Sequence, residues 1–437
     1  MSWEKKKLGD LCSITKGKIG ISKAISGEYP LVVTSEARKS HNEFHFEGEA
    51  VVIPLVSSTG HGHRSLKRIH YQTGKFAVGS ILCAVIPNDN KILNVEYLYR
   101  FLDLNREKEL VSRMRGMANV TLPMKEIANI EVPLPPLDEQ IKFVAEYKEL
   151  ETANNTLSTE ITNQLDLVKQ LRQAFLREAM QGKLVEQNPD DEPATKLLAK
   201  IKVEKEQLIK EKKIKKQKPL SPITKEEIPF EIPENWVWCR LGEIAQHNAG
   251  KTLHGSKNTG LNRKCITTSN LYWGYFSLNK LKEIQIEDKE LEKCTATNGD
   301  ILICEGGDSG RTAIWNYVYD ICFQNHIHRV RPFGKIRNYF IYYHMLLLDM
   351  SGRINIYRKG MGISNISGTS LASILTPIPP LTEQKRIVAK LDELMAYCDS
   401  LEASLKNSQT QNEMLLEQVL REALEPKSVT VKEEVKL

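Results

Sequence analysis

The chain is written twice, and this repetition limits its fold more than any other property. "PLPPLDEQ" ends at Gln140, and a near copy, "PIPPLTEQ", ends at Gln384. The match extends well beyond these eight residues. "WEKKKLGDL" from Trp3 pairs with "WVWCRLGEI" from Trp236 at an offset of 233, which also aligns Gly17-Lys18 with Gly250-Lys251. "GMANVTLPMKEIANIEVPLPPLDEQ" from Gly116 pairs with "GMGISNISGTSLASILTPIPPLTEQ" from Gly360 at an offset of 244. The stretches between these anchors differ in length by 11 residues and share no convincing similarity. Each half therefore reads as a similar frame around a dissimilar middle. At 437 residues the chain has room for two or three domains of ~100–200 residues each.

After each Pro-Pro block the sequence predicts a long helix. Proline is excluded from helix interiors, and Asp138 or Thr382 is placed to cap the first turn. The runs Asp138 to Gln181 and Thr382 to Glu425 are 44 residues each, about 66 Å at ~1.5 Å per residue. Phe143, Tyr147, Leu150, Asn154, Leu157, Ile161, Gln164, Val168, Leu171 and Phe175 alternate spacings of four and three. The same rhythm holds at Ile387, Leu391, Leu394, Cys398, Leu401, Leu405, Ser408, Asn412, Leu415 and Val419. This is a heptad seam, and each seam's natural partner is the other. Polar seam positions would fix register, with Asn154 facing Cys398 or Gln164 facing Ser408 according to direction. Two like halves joined head to tail favour an antiparallel pair about a pseudo-two-fold axis.

Between the halves, Lys196 to Lys218 holds ten Lys against three Glu, so its net +7 exceeds the +6 of the whole chain. Such a run reads as a solvated helix or linker face, with phosphate contact the alternative. The prolines from Pro219 to Pro233 then mark an extended boundary before the second half. No apolar run reaches the ~18 residues of a membrane span. The eight cysteines contain no C-x-x-C pair. The expectation is a soluble, cytoplasmic protein without disulfides.

Catalytic signatures fail one by one. "AQHNAGKT" imitates a phosphate loop but has Ala245 where glycine is required. "PDD" at Pro189 followed by "EKK" at Glu211 loosely imitates a nuclease carboxylate–lysine site, but the second element sits in a lysine-rich helical segment. No adenine-methyltransferase loop, glycine-rich cofactor loop or helicase motif is present. His61 and His63, and His326 and His328, have the spacing of a strand-borne metal pair, yet no third and fourth ligands stand out.

The dissimilar middles carry the other informative residues. They mix Arg with amide, hydroxyl, His and aromatic side chains, the set that reads base edges and clasps phosphates. The residues expected to meet DNA are Lys16, Lys18, Ser58, Thr59, His61, His63, Arg64, Lys67 and Arg68 in the first half. In the second they are Lys251, Thr268, Asn270, Tyr272, Trp273, Arg311, Asn325, His326, His328 and Arg329. Two readings from other classes stay open: a coiled-coil scaffold that binds proteins, and a self-sufficient nuclease built on the "PDD…EKK" pieces.

The tandem frame, "LPPLDEQ" and "IPPLTEQ" opening long helices, "EIPFEIPENWVW" before the second half and "NIS" at Asn365 together resemble the specificity subunit of type I restriction–modification enzymes. Equating Asn119 with Asn365 requires a two-residue shift. The resemblance implies an α+β protein with two similar α/β target-recognition domains, 1–136 and 236–380. Spacer helices 137–185 and 381–425 would form an antiparallel coiled coil between them, with a linker at 186–235 and a C-terminal tail at 426–437. It also implies a chain without catalytic activity that binds a two-part, asymmetric sequence in double-stranded DNA. The implied partners are two modification subunits, which use S-adenosylmethionine to methylate adenine, and restriction subunits that use ATP and Mg. No cofactor is expected on this chain and no membrane is involved. Rods of this length would set half-site centres roughly one to two turns of ~34–36 Å apart.

Overall fold

The computed structural model describes residues 3–59, 62–252, 259–360 and 364–423. The chain divides into two compact units, 1–162 with 406–437, and 163–405. Both mix strands and helices, as the α+β expectation requires. The long helices are Leu137–Met180 and Leu381–Ala423. Among the described residues, no helix is long and apolar enough to cross a membrane.

In the first unit the strands are β1 (Lys5–Lys7), β2 (Cys12–Lys16), β3 (Tyr29–Val32), β4 (Lys39–His41), β5 (Phe46–Glu47), β6 (Ala50–Pro54), β7 (His70–Gln72), β8 (Lys75–Val78), β9 (Leu82–Pro87) and β10 (Glu131–Pro133). An antiparallel sheet runs β2-β9-β6-β7, and a second sheet runs β4-β3-β8-β5 with its central β3–β8 pair parallel. β6 reads "AVVIP" without polar alternation because both its faces are covered. Val51 and Ile53 enter one apolar cluster, and Ala50 and Val52 enter another.

In the second unit the strands are β11 (Val237–Arg240), β12 (Ala245–Ala249), β13 (Leu261–Ile266), β14 (Leu271–Tyr272), β15 (Tyr275–Phe276), β16 (Lys282–Ile286), β17 (Thr295–Ala296), β18 (Ile301–Cys304), β19 (Thr312–Ile314), β20 (Ile321–Phe323), β21 (Ile327–Pro332) and β22 (Leu375–Ile378). The sheets run β12-β21-β18-β19 and β16-β13-β20-β17, again with a parallel central pair, β13–β20. β1–β10 and β11–β22 are matching antiparallel pairs. The middles that share no recognisable sequence thus share one strand topology. Only the β14–β15 hairpin is added, among the described strands.

The repeated Gly-Lys pair marks the crossing between the two sheets of each unit. A Cβ on Gly17 would lie 2.2 Å from the Gly79 carbonyl oxygen, and one on Gly250 would lie 2.2 Å from that of Phe323. Only hydrogen fits there. The structure also settles the shift at Asn365: Arg115 bridges Thr121 as Lys359 bridges Asn365. Thr121, not Asn119, is therefore the counterpart of Asn365.

The repeated Pro-Pro block works through its glutamine. Asp138 and Thr382 are not the caps; the first bonds of the helices go to carbonyls, with Gln140 N–H donating to Pro136 and Gln384 N–H to Pro380. Thr382 instead donates its hydroxyl to Asp191. The Gln140 side chain is fully buried. It donates to the Pro135 and Ile92 carbonyls at 2.9 and 3.0 Å and accepts from the Asn94 N–H at 2.8 Å. Gln384, equally buried, donates to the Pro379 carbonyl at 2.9 Å and accepts from the Arg337 N–H at 3.0 Å. Asn94 and Arg337 each immediately precede a domain helix, Val95–Leu104 and Asn338–Met350. One amide thus ties each long helix to the start of its unit's own helix.

In each unit taken separately the long helices pair in antiparallel sense. In the first, Phe143, Val144 and Tyr147 share a cluster with Leu416 and Leu420, and Asn412 donates to Asn154. In the second, Arg172 meets Asp399 at 2.7 Å and Glu402 at 2.9 Å, while Leu176 shares a cluster with Ile387 and Leu391. Asn154 therefore faces Asn412 rather than Cys398. Tyr147, Ile161, Val168 and Leu391 are buried, and Leu150, Leu171, Leu394, Leu401, Leu405 and Val419 are half-buried. Leu157 and Leu415 depart from the expectation: they are 44% and 60% exposed, and Leu416 and Leu420 take the inner positions on the second helix. A straight α-helix has 3.6 residues per turn and drifts ~20° per heptad, so a strict four–three count slips by one residue.

The segment read as a linker is folded onto the second unit. The first long helix ends at Gly182, whose φ of +70° suits glycine, and Lys183 N–H reaches back to the Glu178 carbonyl at 2.9 Å. Asp191 pairs with Arg386 at 2.7 Å, which holds its carboxyl below the usual carboxylate range. Glu383 is buried and accepts from Trp236 Nε1 at 2.9 Å; burial raises its pKa. The helix Ala194–Lys210 buries Leu197 and Ile201 in the unit's main core. Glu211, from the other half of the nuclease-like pattern, pairs with Lys213, so Asp191 and Glu211 are held in separate ion pairs.

Candidate nucleic-acid interface

β7 and β19 hold the same outer place in their sheets, and polar side chains collect along both. In the second unit the Gly274 N–H donates to the Thr312 carbonyl of β19 at 3.0 Å, which seats the β14–β15 hairpin on that edge. Tyr272 and Tyr275 are exposed and stacked, with centroids 5.0 Å apart at 7°. Arg311 lies 5.5 Å over the Tyr272 ring and donates to the Thr268 carbonyl at 3.0 Å. Asp308 lies 3.6 Å from its Nε, and a guanidinium beside exposed aromatic rings suits stacking on bases and pairing with phosphate. His326 is exposed, Asn325 is half-buried, and Trp273 packs against the main core.

Other expected residues of this unit are committed internally. Asn270 is 4% exposed; it accepts from the Thr267 N–H at 3.0 Å and donates to the Ser277 and Lys280 carbonyls at 3.0 Å each. Lys251 is held by Glu290 at 2.5 Å. His328 and Arg329 are buried in β21.

In the first unit the loop after β6 is stapled by its serines. Ser57 Oγ donates to the His63 carbonyl at 2.6 Å, and Ser58 Oγ accepts from the Lys67 N–H at 3.0 Å. Thr59, His63, Arg64 and Lys67 are left exposed. Arg68 pairs with Glu36 at 3.0 Å. His61 lies outside the described residues. Lys16 and Lys18 are exposed on and just after β2, at the opposite edge of the sheet from β7.

The structure adds Arg38, which sequence reasoning missed. Its Nε donates to Gln72 Oε1 at 2.8 Å, and its Nη1 lies 3.2 Å from His70 Nδ1. Burial, reinforced by Arg38, pushes the His70 pKa down to about 4. No spacing in "SEARKS" singles this arginine out. It becomes a candidate only because, just before β4, it reaches Gln72 and His70 of β7. Among the described residues, no group of three His, Cys, Asp or Glu could hold a metal ion.

The profile of the type I restriction modification DNA specificity domain matches residues 1–167 and 233–410. The chain belongs to this family of specificity subunits. The two matched stretches are the two copies of the internal repeat. The specificity subunit of the type I restriction enzyme EcoAI from Escherichia coli is 30% identical over 394 residues, covering 76% of this chain and 65% of that relative. This chain therefore spans less than two thirds of that relative's length. The EcoDI specificity subunit of Escherichia coli is 22% identical over 97% of this chain and 88% of its own length. The MjaVIII specificity subunit of Methanocaldococcus jannaschii is 24% identical over 90% of this chain and 86% of its own length. The solved HsdS subunit from Thermoanaerobacter tengcongensis has a TM-score of 0.53 at 18% identity, over 97% of this chain and 96% of that one. A chain from a structural study of assembly and conformational transition in a type I R-M system reaches a TM-score of 0.67 at 18% identity, over 97% of both chains. At that identity these likenesses concern the fold of this specificity subunit.

Proposed function

We propose that this specificity subunit recognises a two-part, asymmetric sequence in double-stranded DNA, with one half-site read by each unit. The observation that carries this reading is a shared strand topology with unlike chemistry on the corresponding edges. Arg38 bonds to Gln72 of β7 and Arg64, Lys67 and Arg68 lie on the loop leading into it, whereas Arg311 directly precedes β19 and Tyr272 and Tyr275 lie on the hairpin seated there. Equal scaffolds with unequal contact groups favour two different half-sites, hence a non-palindromic target. In this reading the pairing of the two long helices sets the number of unread base pairs between the half-sites.

The chain itself performs no chemistry in this reading. Two modification subunits using S-adenosylmethionine would methylate adenine after extracting it from the stack, at a cost of a few kcal/mol. Restriction subunits using ATP and Mg complete the assembly. Co-expression with an adenine methyltransferase subunit, followed by genome-wide mapping of methylated adenine, tests the proposal. A two-part motif with a constant gap is expected. Methylation at a continuous or palindromic motif, or none at all, would overturn it.

A further inference from the structure

The helix Ala194–Lys210 and the chain up to Leu220 enclose, with β12, β21 and the helix Asp288–Cys294, a cavity of about 1310 Å3. That exceeds the ~300–1,000 Å3 usual for a small-molecule pocket. Its lining is strongly basic. Lys202, Lys215, Lys216, Lys218 and Lys293 all line it and are exposed, and none has a carboxylate within ion-pair distance among the described residues.

Arg329 supplies the second observation. It lines the same cavity, yet it is only 4% exposed. Its guanidinium donates to the Thr295 carbonyl and, at 2.9 Å, to Asn248 Oδ1, both neutral acceptors. The nearby Asp300 is taken by Arg331 at 2.5 Å. Burial, with Arg331 alongside, pushes the Arg329 pKa down to about 10. Asp300 and Glu292 offset part of this, but neither forms an ion pair with Arg329, and a buried charge without a close counter-ion is costly. An anion in this cavity would lower that cost further.

We propose that the cavity is a phosphate-binding groove for the backbone of a nucleic-acid strand, with Arg329 as its buried charge and the five unpaired lysines as its outer contacts. A strand in a duplex presents a phosphate about every 3.4 Å along the axis, and so offers several separate charges to the five lysines where one compact anion offers a single centre. The groove lies at the β12 edge of the β12-β21-β18-β19 sheet, and the aromatic hairpin lies at the β19 edge. A strand held there adds affinity without reading bases in this unit. The inference rests on the DNA-binding reading above.

The test uses the full chain with its modification partners and the variant K202A/K215A/K216A/K218A, whose changes are all at exposed positions. Binding to the target duplex and to an unrelated duplex is measured across a salt series. Both affinities should fall by the same factor, leaving the ratio between them intact. The slope of log affinity against log salt should become shallower by about 0.9 for each phosphate that the variant no longer neutralises, roughly two to four in all. An unchanged slope with target binding intact overturns the groove and leaves the DNA reading standing. If the wild-type assembly prefers no duplex, both fall. Inorganic tripolyphosphate serves as the small-anion probe. Stoichiometric binding that the variant abolishes, while its DNA slope stays unchanged, would assign the cavity to a free polyphosphate and overturn the strand.

Discussion

Replacing Gln140 by leucine removes the three side-chain hydrogen bonds made to Pro135, Ile92 and Asn94 and leaves those backbone groups without their partner. Each hydrogen bond contributes about 1 kcal/mol net, and a buried group left unpaired costs a further ~1–3 kcal/mol. A loss of about 3–5 kcal/mol is expected for Gln140→Leu. Gln384→Leu removes two such bonds, to Pro379 and Arg337, and should cost about 1 kcal/mol less. Against a typical domain stability of ~5–15 kcal/mol either loss is large. Each should stay within its own unit, because all partners of Gln140 lie in the first and all partners of Gln384 in the second. Hydrogen exchange read by mass spectrometry checks this. Gln140→Leu should deprotect residues 92–104 and 137–150, and Gln384→Leu residues 337–350 and 381–391. Unchanged exchange in those peptides, or deprotection of 337–350 by the Gln140 variant, would refute the clamp. Gln140→Glu is the control. It keeps an acceptor for the Asn94 N–H but sets a carboxylate against two carbonyls, so it should be worse than leucine.

Asn154→Leu alone should lower stability by about 1 kcal/mol by leaving Asn412 without its partner, and Asn154→Leu with Asn412→Leu should exceed wild type in denaturant melts, as apolar seams do. Burial pushes the His344 pKa down to about 4 from 6.5, so below about pH 6.5 the unfolded chain takes up a proton that the folded one refuses. Stability should therefore fall as pH drops from 6.5 to 4, by up to about 3 kcal/mol from this group, and His344→Gln should flatten that part of the thermal-melt profile. Alanine at Gly17 or Gly250 forces a Cβ against a carbonyl oxygen, and each should lower the melting temperature far more than alanine at Gly74, where nothing crowds the site although the φ of +78° is strained. Arg311→Ala should relax base preference in one half-site of the methylation motif and leave the other unchanged.

Much of this architecture is written in local sequence. The long helices are legible because Pro-Pro blocks the preceding turn and apolar residues recur at helical spacing for more than 40 residues; the observed bounds Leu137–Met180 and Leu381–Ala423 fall close to the expected ones. The two-copy plan and the Gly-Lys pairs also come from the letters alone. Leu157 and Leu415 show where counting ends, since the seam follows the pitch of a straight helix rather than a strict heptad. At the candidate interface, residue type alone singles out Tyr272, Thr59, His63, Arg64 and Lys67, which the structure leaves exposed, and Arg311, which lies over Tyr272. The burial of Asn270, His328 and Arg329 is not legible from residue type.

What tertiary structure decided are the contacts that sequence spacing does not encode. Gln140 meets Asn94 from 46 residues away, and Gln384 meets Arg337 from 47. Arg38, just before β4, reaches Gln72 and His70 of β7, and the lysine-rich helix packs against Phe333 and Gly334 beyond β21 instead of standing free in solvent. The middles share a topology without a shared pattern because strand order depends on which buried faces meet, and many apolar sequences satisfy one such set of faces. Helix start, period and length depend on neighbours within a few residues, so the sequence alone determines them. Partners of buried charges and amides are chosen by packing across the chain, and only the folded structure determines those.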